Sequence, residues 1–365
     1  MPADPIQLGS CRRALVIKLR HHGDVLLAAP VFAALKALKP DMDIDALIYR
    51  DSLELLSFNP DIAQIHTIDR RARESVSTQV RQAWHLLRTL RGRHYDLIIH
   101  LTEHPRGAWL ARLLRPRYAV ARRYPGRRGR WWKKSFTHLY DVPARQRHTV
   151  ETHLDALRRL GLVVPSARPL RLVPGADADA RVADRLVRAG LAEQDFIVIH
   201  PTSRWLFKCW PEPLMARLLD TLGSQGHRLV VTAGPAAGER AWIARLLALT
   251  THPVTDMSGQ LSLKELAALI GRARLFIGVD SAPMHMAAAM GTPVVTFFGP
   301  SGDAEWGPWQ VPARVLTAAF SCRPCGLAGC GDGQVSECLA HISVDEAARA
   351  IASLLAETES ACASP

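Results

Sequence analysis

The sequence predicts an α/β protein built as two doubly wound, Rossmann-like domains facing an interdomain cleft. Three observations carry that expectation. Short β-branched runs alternate with amphipathic stretches of helical period. The alternation stops in a Pro-rich segment, Val163 to Asp179, and then restarts. A chain of 365 residues is long enough to enclose two hydrophobic cores.

Taken in order, Ala14 to Leu19 (ALVIKL) reads as a buried strand, followed by a helix from Gly23 to about Leu38. Asp43 to Tyr49 and Ile62 to Ile68 read as the next strands. Val80, Ala83, Trp84, Leu87 and Leu90 share one helical face, and a further apolar run starts at Tyr95. Glu151 to Leu162 reads as a helix, and the Pro-rich segment after it as a linker. The second series has strands at Phe196 to Pro201, Arg228 to Ala233, Leu275 to Val279 and Pro293 to Gly299. Helices are expected after Pro211, from about Gly238 and from Pro283. This divides the chain into an N-terminal domain of residues 1–168, a C-terminal domain of residues 169–350, and a helix end with tail at 351–365. Strands joined this way lie parallel, with their carboxyl ends turned to the cleft.

Composition narrows the function classes. The chain is 48% hydrophobic and 22% charged, with mean hydropathy near zero, as expected of a soluble globular protein. No apolar run approaches the roughly 18–20 residues of a membrane span, and the opening MPADPIQLGSCRR lacks the apolar stretch of a signal peptide. A cytoplasmic location is therefore expected. Seven cysteines in so long a chain form no disulfide framework, although four crowd between Cys322 and Cys338. Their spacing admits a tetrahedral metal site or plain packing thiols.

The net charge is +12, from 46 Lys and Arg against 34 Asp and Glu. Eleven of the cations fall between Arg106 and Lys134, where no acidic residue occurs. Such a stretch suits nucleic acid, anionic lipid headgroups or phosphorylated sugars, or it is a solvated face. The interleaved Tyr124, Trp131 and Trp132 favour a ligand-facing segment. No helix-turn-helix, RNA-recognition or zinc-finger pattern accompanies it.

Neither a G-x-G-x-x-G after a strand nor a G-x-x-x-x-G-K-[ST] occurs, which argues against a dinucleotide dehydrogenase or a P-loop NTPase. What does occur is a set of strand ends suited to phosphate. In FIGVDSAPMHMAAAMG a strand runs into a helix start at Asp280, Ser281 and Ala282, with Pro283 in the first turn. That is a ready anion site or an ordinary capped helix. In HPTSRWLFKCWPE, Thr202 and Ser203 follow a strand directly, and Lys208 stands in the loop. Hydroxyls and an ammonium there suit a diphosphate leaving group, unless the lysine is merely solvated. In KLRHHGDVLLAAP, Gly23 is expected to let the chain turn tightly before Asp24 opens a helix. A carboxylate in that place is an N-cap, or a general base for an acceptor hydroxyl.

Together, KLRHHGDVLLAAPV, HPTSRWLFKCWPE and GVDSAPMHMAAAMGTPVVTFFGP resemble glycosyltransferase family 9, the ADP-heptose:lipopolysaccharide heptosyltransferases. The resemblance runs from Ala14 to Ala350, and KLRHHGD with the segment CRPCGLAGCGDGQVSEC is most similar to the heptosyltransferase III branch. It implies a GT-B fold, an ADP-heptose donor on the C-terminal domain and a lipopolysaccharide inner-core acceptor on the N-terminal one. It further implies inversion at the anomeric carbon without metal or other cofactor, at the cytoplasmic face of the inner membrane, with no nucleic-acid partner. By this resemblance Asp24 is the general base. Thr202, Ser203, Lys208, Glu239, Asp280, Ser281, Ala282 and His285 hold the donor; for His285 a core position is the other reading. His22, Gly23, Arg106, Arg127, Arg128 and Arg130 are assigned to the acceptor. A nucleic-acid-binding protein and a catalytically silent GT-B binding module are the competing classes.

Overall fold

A computed structural model describes residues 4–70, 75–127, 129–142, 147–164, 168–331 and 335–363. The chain separates into two compact units, Met1–Val173 and Pro174–Pro365.

The first unit is a six-stranded parallel sheet of β1 (Arg13–Lys18), β2 (Asp43–Tyr49), β3 (Gln64–Ile68), β4 (Leu97–His100), β5 (Tyr118–Arg122) and β6 (His138–Tyr140). Their order is β3-β2-β1-β4-β5-β6. In register, Ile17 of β1 stands between Leu47 and His100. Its helices are α1 (His22–Leu26), α2 (Ala29–Leu38), α3 (Leu53–Leu56), α4 (Val76–Gly92), α5 (Pro105–Leu114), α6 (Arg130–Lys133) and α7 (Thr149–Arg159). The central strands are apolar on both faces because helices cover both sides of a doubly wound sheet. Leu15, Ile17, Leu47 and Ile98 pack there with Trp132 and Phe136.

The second unit repeats the plan. Strands β7 (Phe196–His200), β8 (Arg228–Val231), β9 (Thr255–Asp256), β10 (Leu275–Val279), β11 (Val294–Phe297) and β12 (Ala313–Leu316) lie in the order β12-β11-β10-β7-β8-β9. The helices are α8 (Ala176–Arg188), α9 (Glu212–Ser224), α10 (Ala237–Leu249), α11 (Leu263–Gly271), α12 (Ala282–Met290), α13 (Asp303–Trp306), α14 (Glu337–Ala340) and α15 (Val344–Ala363). Trp210 is fully buried and stacks on Phe297 at 4.4 Å, while α15 contributes Ile351, Leu354 and Leu355 to the same core. Gly291, at φ 75°, supplies the left-handed residue that ends α12.

Numbered within each unit, the two strand orders are the same. Each reverses direction once, between β1 and β4 and between β7 and β10. In open α/β sheets these switch points, at the strand carboxyl ends, are where ligands bind.

Four local expectations change. The helix from Gly23 is two, α1 and α2, because Pro30 lacks the N–H that would bond back to Leu26. Gly23 does not serve as a left-handed turn; it is helical, and its carbonyl accepts the Leu27 N–H at 2.9 Å. Trp132 does not face a ligand: it is 2% exposed and packs on His100, Tyr124 and Phe136. On α4 only the Leu87 and Leu90 end turns inward, whereas Val80 and Trp84 are exposed.

Candidate active site

The first switch point is built around a buried charge. Lys18 ends β1 at only 6% exposure. Its Nζ donates to the Leu101 carbonyl at 3.1 Å and lies 3.0 Å from His153 Nε2 and 3.3 Å from Asp24 Oδ1. His153 Nδ1 sits 3.0 Å from the Leu27 carbonyl, which can only accept, so Nδ1 carries the proton and Nε2 receives the Lys18 ammonium. Burial and the neighbouring Lys18 push the His153 ring down to about 3, which keeps it neutral. Burial likewise pulls the Lys18 amine below its ordinary value, against the opposing pull of Asp24.

Asp24 is therefore no helix cap. It lies in the first turn of α1, whose N-cap residue is His21, and its carboxylate meets Lys18 and, at 3.8 Å, Arg20. Burial alone would raise the Asp24 carboxyl, but Lys18 and Arg20 outweigh it and hold it below the ordinary carboxylate value. The result is an ionised, oriented carboxylate beside the end of β1.

Next to it opens a cavity of about 380 Å³. Every lining segment follows a strand carboxyl end: Leu19 to His21 after β1, Tyr49 at the end of β2, Arg70 after β3, Thr102 to Pro105 after β4, and Arg127 after β5. Arg70 lies 4.1 Å over the Tyr49 ring, donates to the Arg20 carbonyl at 2.5 Å and reaches His21 Nδ1 at 2.8 Å. Its Nε also has the Asp51 carboxylate at 3.9 Å. Arg127 is fixed by its bond to the Glu103 carbonyl at 3.0 Å. Three guanidiniums around one cavity suit a ligand with several negative charges.

Of the other residues assigned to the acceptor, His22 bonds Ser52 Oγ at 3.0 Å through its Nδ1. Arg106 on α5 and Arg130 on α6 are exposed and do not line the cavity. Arg128 lies outside the described residues.

The second switch point gathers the residues that the sequence assigned to the donor. Thr202 and Ser203, both buried, follow β7 after Pro201. Thr202 donates to Glu239 Oε2 at 2.8 Å, and the Gly234 N–H donates to the same oxygen at 3.2 Å. A Cβ on Gly234 would stand 2.7 Å from that carboxylate, so any side chain there would displace the Glu239 carboxylate from its place. Lys208 Nζ pairs with Asp280 Oδ2 at 2.5 Å, which holds an ammonium at the residue after β10. Ser281 caps α12 by position without a side-chain cap bond, and its Oγ is buried with no partner among the described residues. The first-turn amides, beginning at Ala282, have no intrahelical acceptor. His285, one turn further, is buried at 3%. A lysine, hydroxyls and a helix start at the ends of the neighbouring strands β7 and β10 are groups of the kind that bind phosphate oxygens.

Sequence reasoning missed Lys18, His153 and Arg70. A lysine inside the apolar run ALVIKL was a readable sign of a buried charge, but nothing local to His153 or Arg70 pointed to this site. Among the described residues no group of three or more His, Cys, Asp or Glu is placed to hold a metal. Cys322 is exposed, Cys325 and Cys330 are half-buried, Cys338 is buried, and all four are free thiols.

Two parallel α/β units of this strand order have the architecture of the GT-B class of glycosyltransferases. Comparisons with known proteins agree. The model of glycosyltransferase family 9 (heptosyltransferase) matches residues 83–335. Lipopolysaccharide heptosyltransferase 3 of Escherichia coli is 38% identical over 293 residues, 80% of this chain and 85% of that protein. A family 9 glycosyltransferase structure from Veillonella parvula superposes with a TM-score of 0.82 at 22% identity, covering 95% of this chain and 97% of that one. For the Escherichia coli ADP-heptose lipopolysaccharide heptosyltransferase II the TM-score is 0.77 at 19% identity, with 95% and 99% covered. The chain belongs to glycosyltransferase family 9.

Proposed function

We propose that this enzyme transfers heptose from ADP-L-glycero-D-manno-heptose to the inner core of lipopolysaccharide, in the manner of heptosyltransferase III, with inversion and without a divalent metal. The similarity to lipopolysaccharide heptosyltransferase 3 supports the donor and acceptor classes. The observation that carries the chemistry is the pairing of Asp24 with the buried Lys18, which keeps a carboxylate ionised at the carboxyl end of β1.

In this reading Asp24 accepts the proton of an acceptor hydroxyl as its oxygen bonds to the anomeric carbon from the face opposite the nucleotide. The bond from that carbon to the ADP oxygen breaks through an oxocarbenium-like transition state. The charge growing on the diphosphate is met by Lys208, the Thr202 and Ser203 hydroxyls, and the amides at the start of α12. Glu239 orders the Thr202 loop and lies on the nucleotide side. Arg20, Arg70 and Arg127 receive the acidic groups of the acceptor. The work is done at the cytoplasmic face of the inner membrane; no described helix is long and apolar enough to cross it.

The test is direct. Purified protein is mixed with ADP-heptose and lipopolysaccharides truncated at successive core sugars, with and without EDTA, and the product linkage is read by NMR. One truncation is expected to accept a single heptose of inverted configuration, and EDTA to leave the rate largely intact. Absence of transfer to every truncation would favour a silent binding module, and strict dependence on Mg²⁺ or Mn²⁺ would overturn the metal-free part.

A further inference from the structure

We propose that the outer face of α4, α5 and α6 docks on an anionic lipid bilayer, with Trp84 and Trp109 seated in the headgroup layer. The proposal rests on the membrane location in the functional reading above and assigns it to a surface.

The first observation is an apolar patch where solvent should be. Val80 and Trp84 on α4 are 57% and 65% exposed, and Trp109 and Leu113 on α5 are 55% and 39% exposed. A single exposed tryptophan is ordinary, but these four come from adjacent helices. At about 100° per residue, Val80, Trp84 and Arg91 lie within about 40° of one another around α4. Arg91 reaches the Leu113 carbonyl at 3.4 Å, so that flank of α4 is the one turned to α5. Trp131 of α6 extends the patch, its ring 5.0 Å from that of Trp109.

The second observation is charge. Between Ser75 and Lys134 the sequence holds fifteen Lys and Arg and two acidic residues, Asp96 and Glu103. Asp96 is committed to the Arg12 and Arg13 amides, and Glu103 lies at the cavity. Arg81, Arg88, Arg112, Lys133 and Lys134, on or at the end of the same three helices, are exposed. Amphipathic rings flanked by long cationic stems match the interface of a bilayer carrying anionic headgroups, where ring and stem rest in the apolar margin and the charge stays with phosphate. Val80 and Leu113 decide between the two polyanions a basic face could meet. Aliphatic side chains on the outer backs of helices offer nucleobases nothing to stack on, whereas acyl chains accept them.

Full-length protein is sedimented with vesicles of phosphatidylcholine mixed with phosphatidylglycerol, and with phosphatidylcholine alone, across a salt series. Binding to the anionic vesicles that weakens with salt is expected. W84S/W109S is expected to lower the partition at least roughly tenfold at all salt concentrations. R81Q/R88Q is expected to lower it roughly ten- to thirtyfold at low salt and to flatten the salt dependence. Both variants should keep wild-type melting temperatures and wild-type turnover on an acceptor stripped of its acyl chains. Wild-type protein that stays in the supernatant, variants that sediment like wild type, or variants that lose only duplex DNA binding would overturn the proposal. Failure of heptose transfer by the wild type would sink the functional reading and leave the vesicle result standing.

Discussion

Asp24→Asn keeps the shape of the side chain and removes its proton acceptor. Two magnitudes follow from its surroundings. Turnover should fall by ~10²–10⁴, the range for loss of a positioned base, with donor affinity little changed. Stability should also fall, because the Lys18 and Asp24 side chains are only 7% and 13% exposed and stand 3.3 Å apart. At an effective dielectric constant near 20 their attraction is about 5 kcal/mol before desolvation, and removing one partner of a buried pair costs about 3–5 kcal/mol. Asparagine still turns an amide oxygen towards Lys18, so the loss should sit at the low end. Lys18→Met is the informative companion. It leaves the carboxylate but strips away the buried cation, so burial then acts with less opposition and the Asp24 carboxyl rises. Initial rates of ADP release against pH, with melting by circular dichroism, separate the cases. D24N should be slow at every pH, K18M slow in acid and recovering as pH rises, and K18M/D24N more stable than D24N yet inactive. Near wild-type turnover in D24N, or an unmoved acid limb in K18M, would refute the assignment of Asp24 as a base tuned by Lys18.

Three further perturbations address other parts of the fold. Lys208→Ala removes the ammonium paired with Asp280 and should weaken ADP binding, measured by calorimetry, as well as slow transfer; unchanged binding would remove Lys208 from the phosphate site. Arg70→Gln and Arg127→Gln should raise the KM for acceptor and blunt its salt dependence while leaving ADP affinity alone, and an effect confined to the donor would reverse the assignment of the cavity. Burial would raise the carboxyl of Asp45, but hydrogen bonds with His66, Arg93 and Tyr95 bring it down to about 2. Its folded value lies below the unfolded one, so this contribution, about 2 kcal/mol, is complete above about pH 4 and is lost as pH falls towards about 2. Urea midpoints across that window should drop in the wild type and drop by less in D45N.

The fold was legible because its longer strands are runs of Val, Ile and Leu punctuated by helix starts, and a parallel sheet leaves that trace. The strands that escaped, β5, β6, β9 and β12, are two to five residues long or carry Arg and Tyr, too short or too mixed for periodicity to register. Placement of Asp24, Thr202, Lys208 and Ser281 was legible for a related reason: each follows a strand end, and strand ends are where such sheets bind ligands. What could not be read is what arrives from elsewhere in the chain. His153 reaches Lys18 across 135 residues and Arg70 reaches His21 across 49, and no local pattern encodes either. The neighbours Trp131 and Trp132 show the same limit. Identical in type and adjacent in sequence, one lies against Trp109 and the other fills the core, because successive residues of a helical turn point in different directions.

That the two units enclose separate cores has a consequence for how such an enzyme diversifies. No residue of the cluster around Ile17 and Trp132 takes part in the cluster around Trp210 and Phe297, and the division falls between Val173 and Pro174. A substitution that reshapes the arginine-lined cavity is therefore tolerated or rejected on the stability of the first unit alone, since distant sites add independently. On the proposed assignment, the second unit can hold its nucleotide cradle fixed while the first accumulates changes. A lineage of such enzymes can then explore new acceptor glycans by drift in one half of the chain, with the nucleotide requirement inherited unaltered in the other.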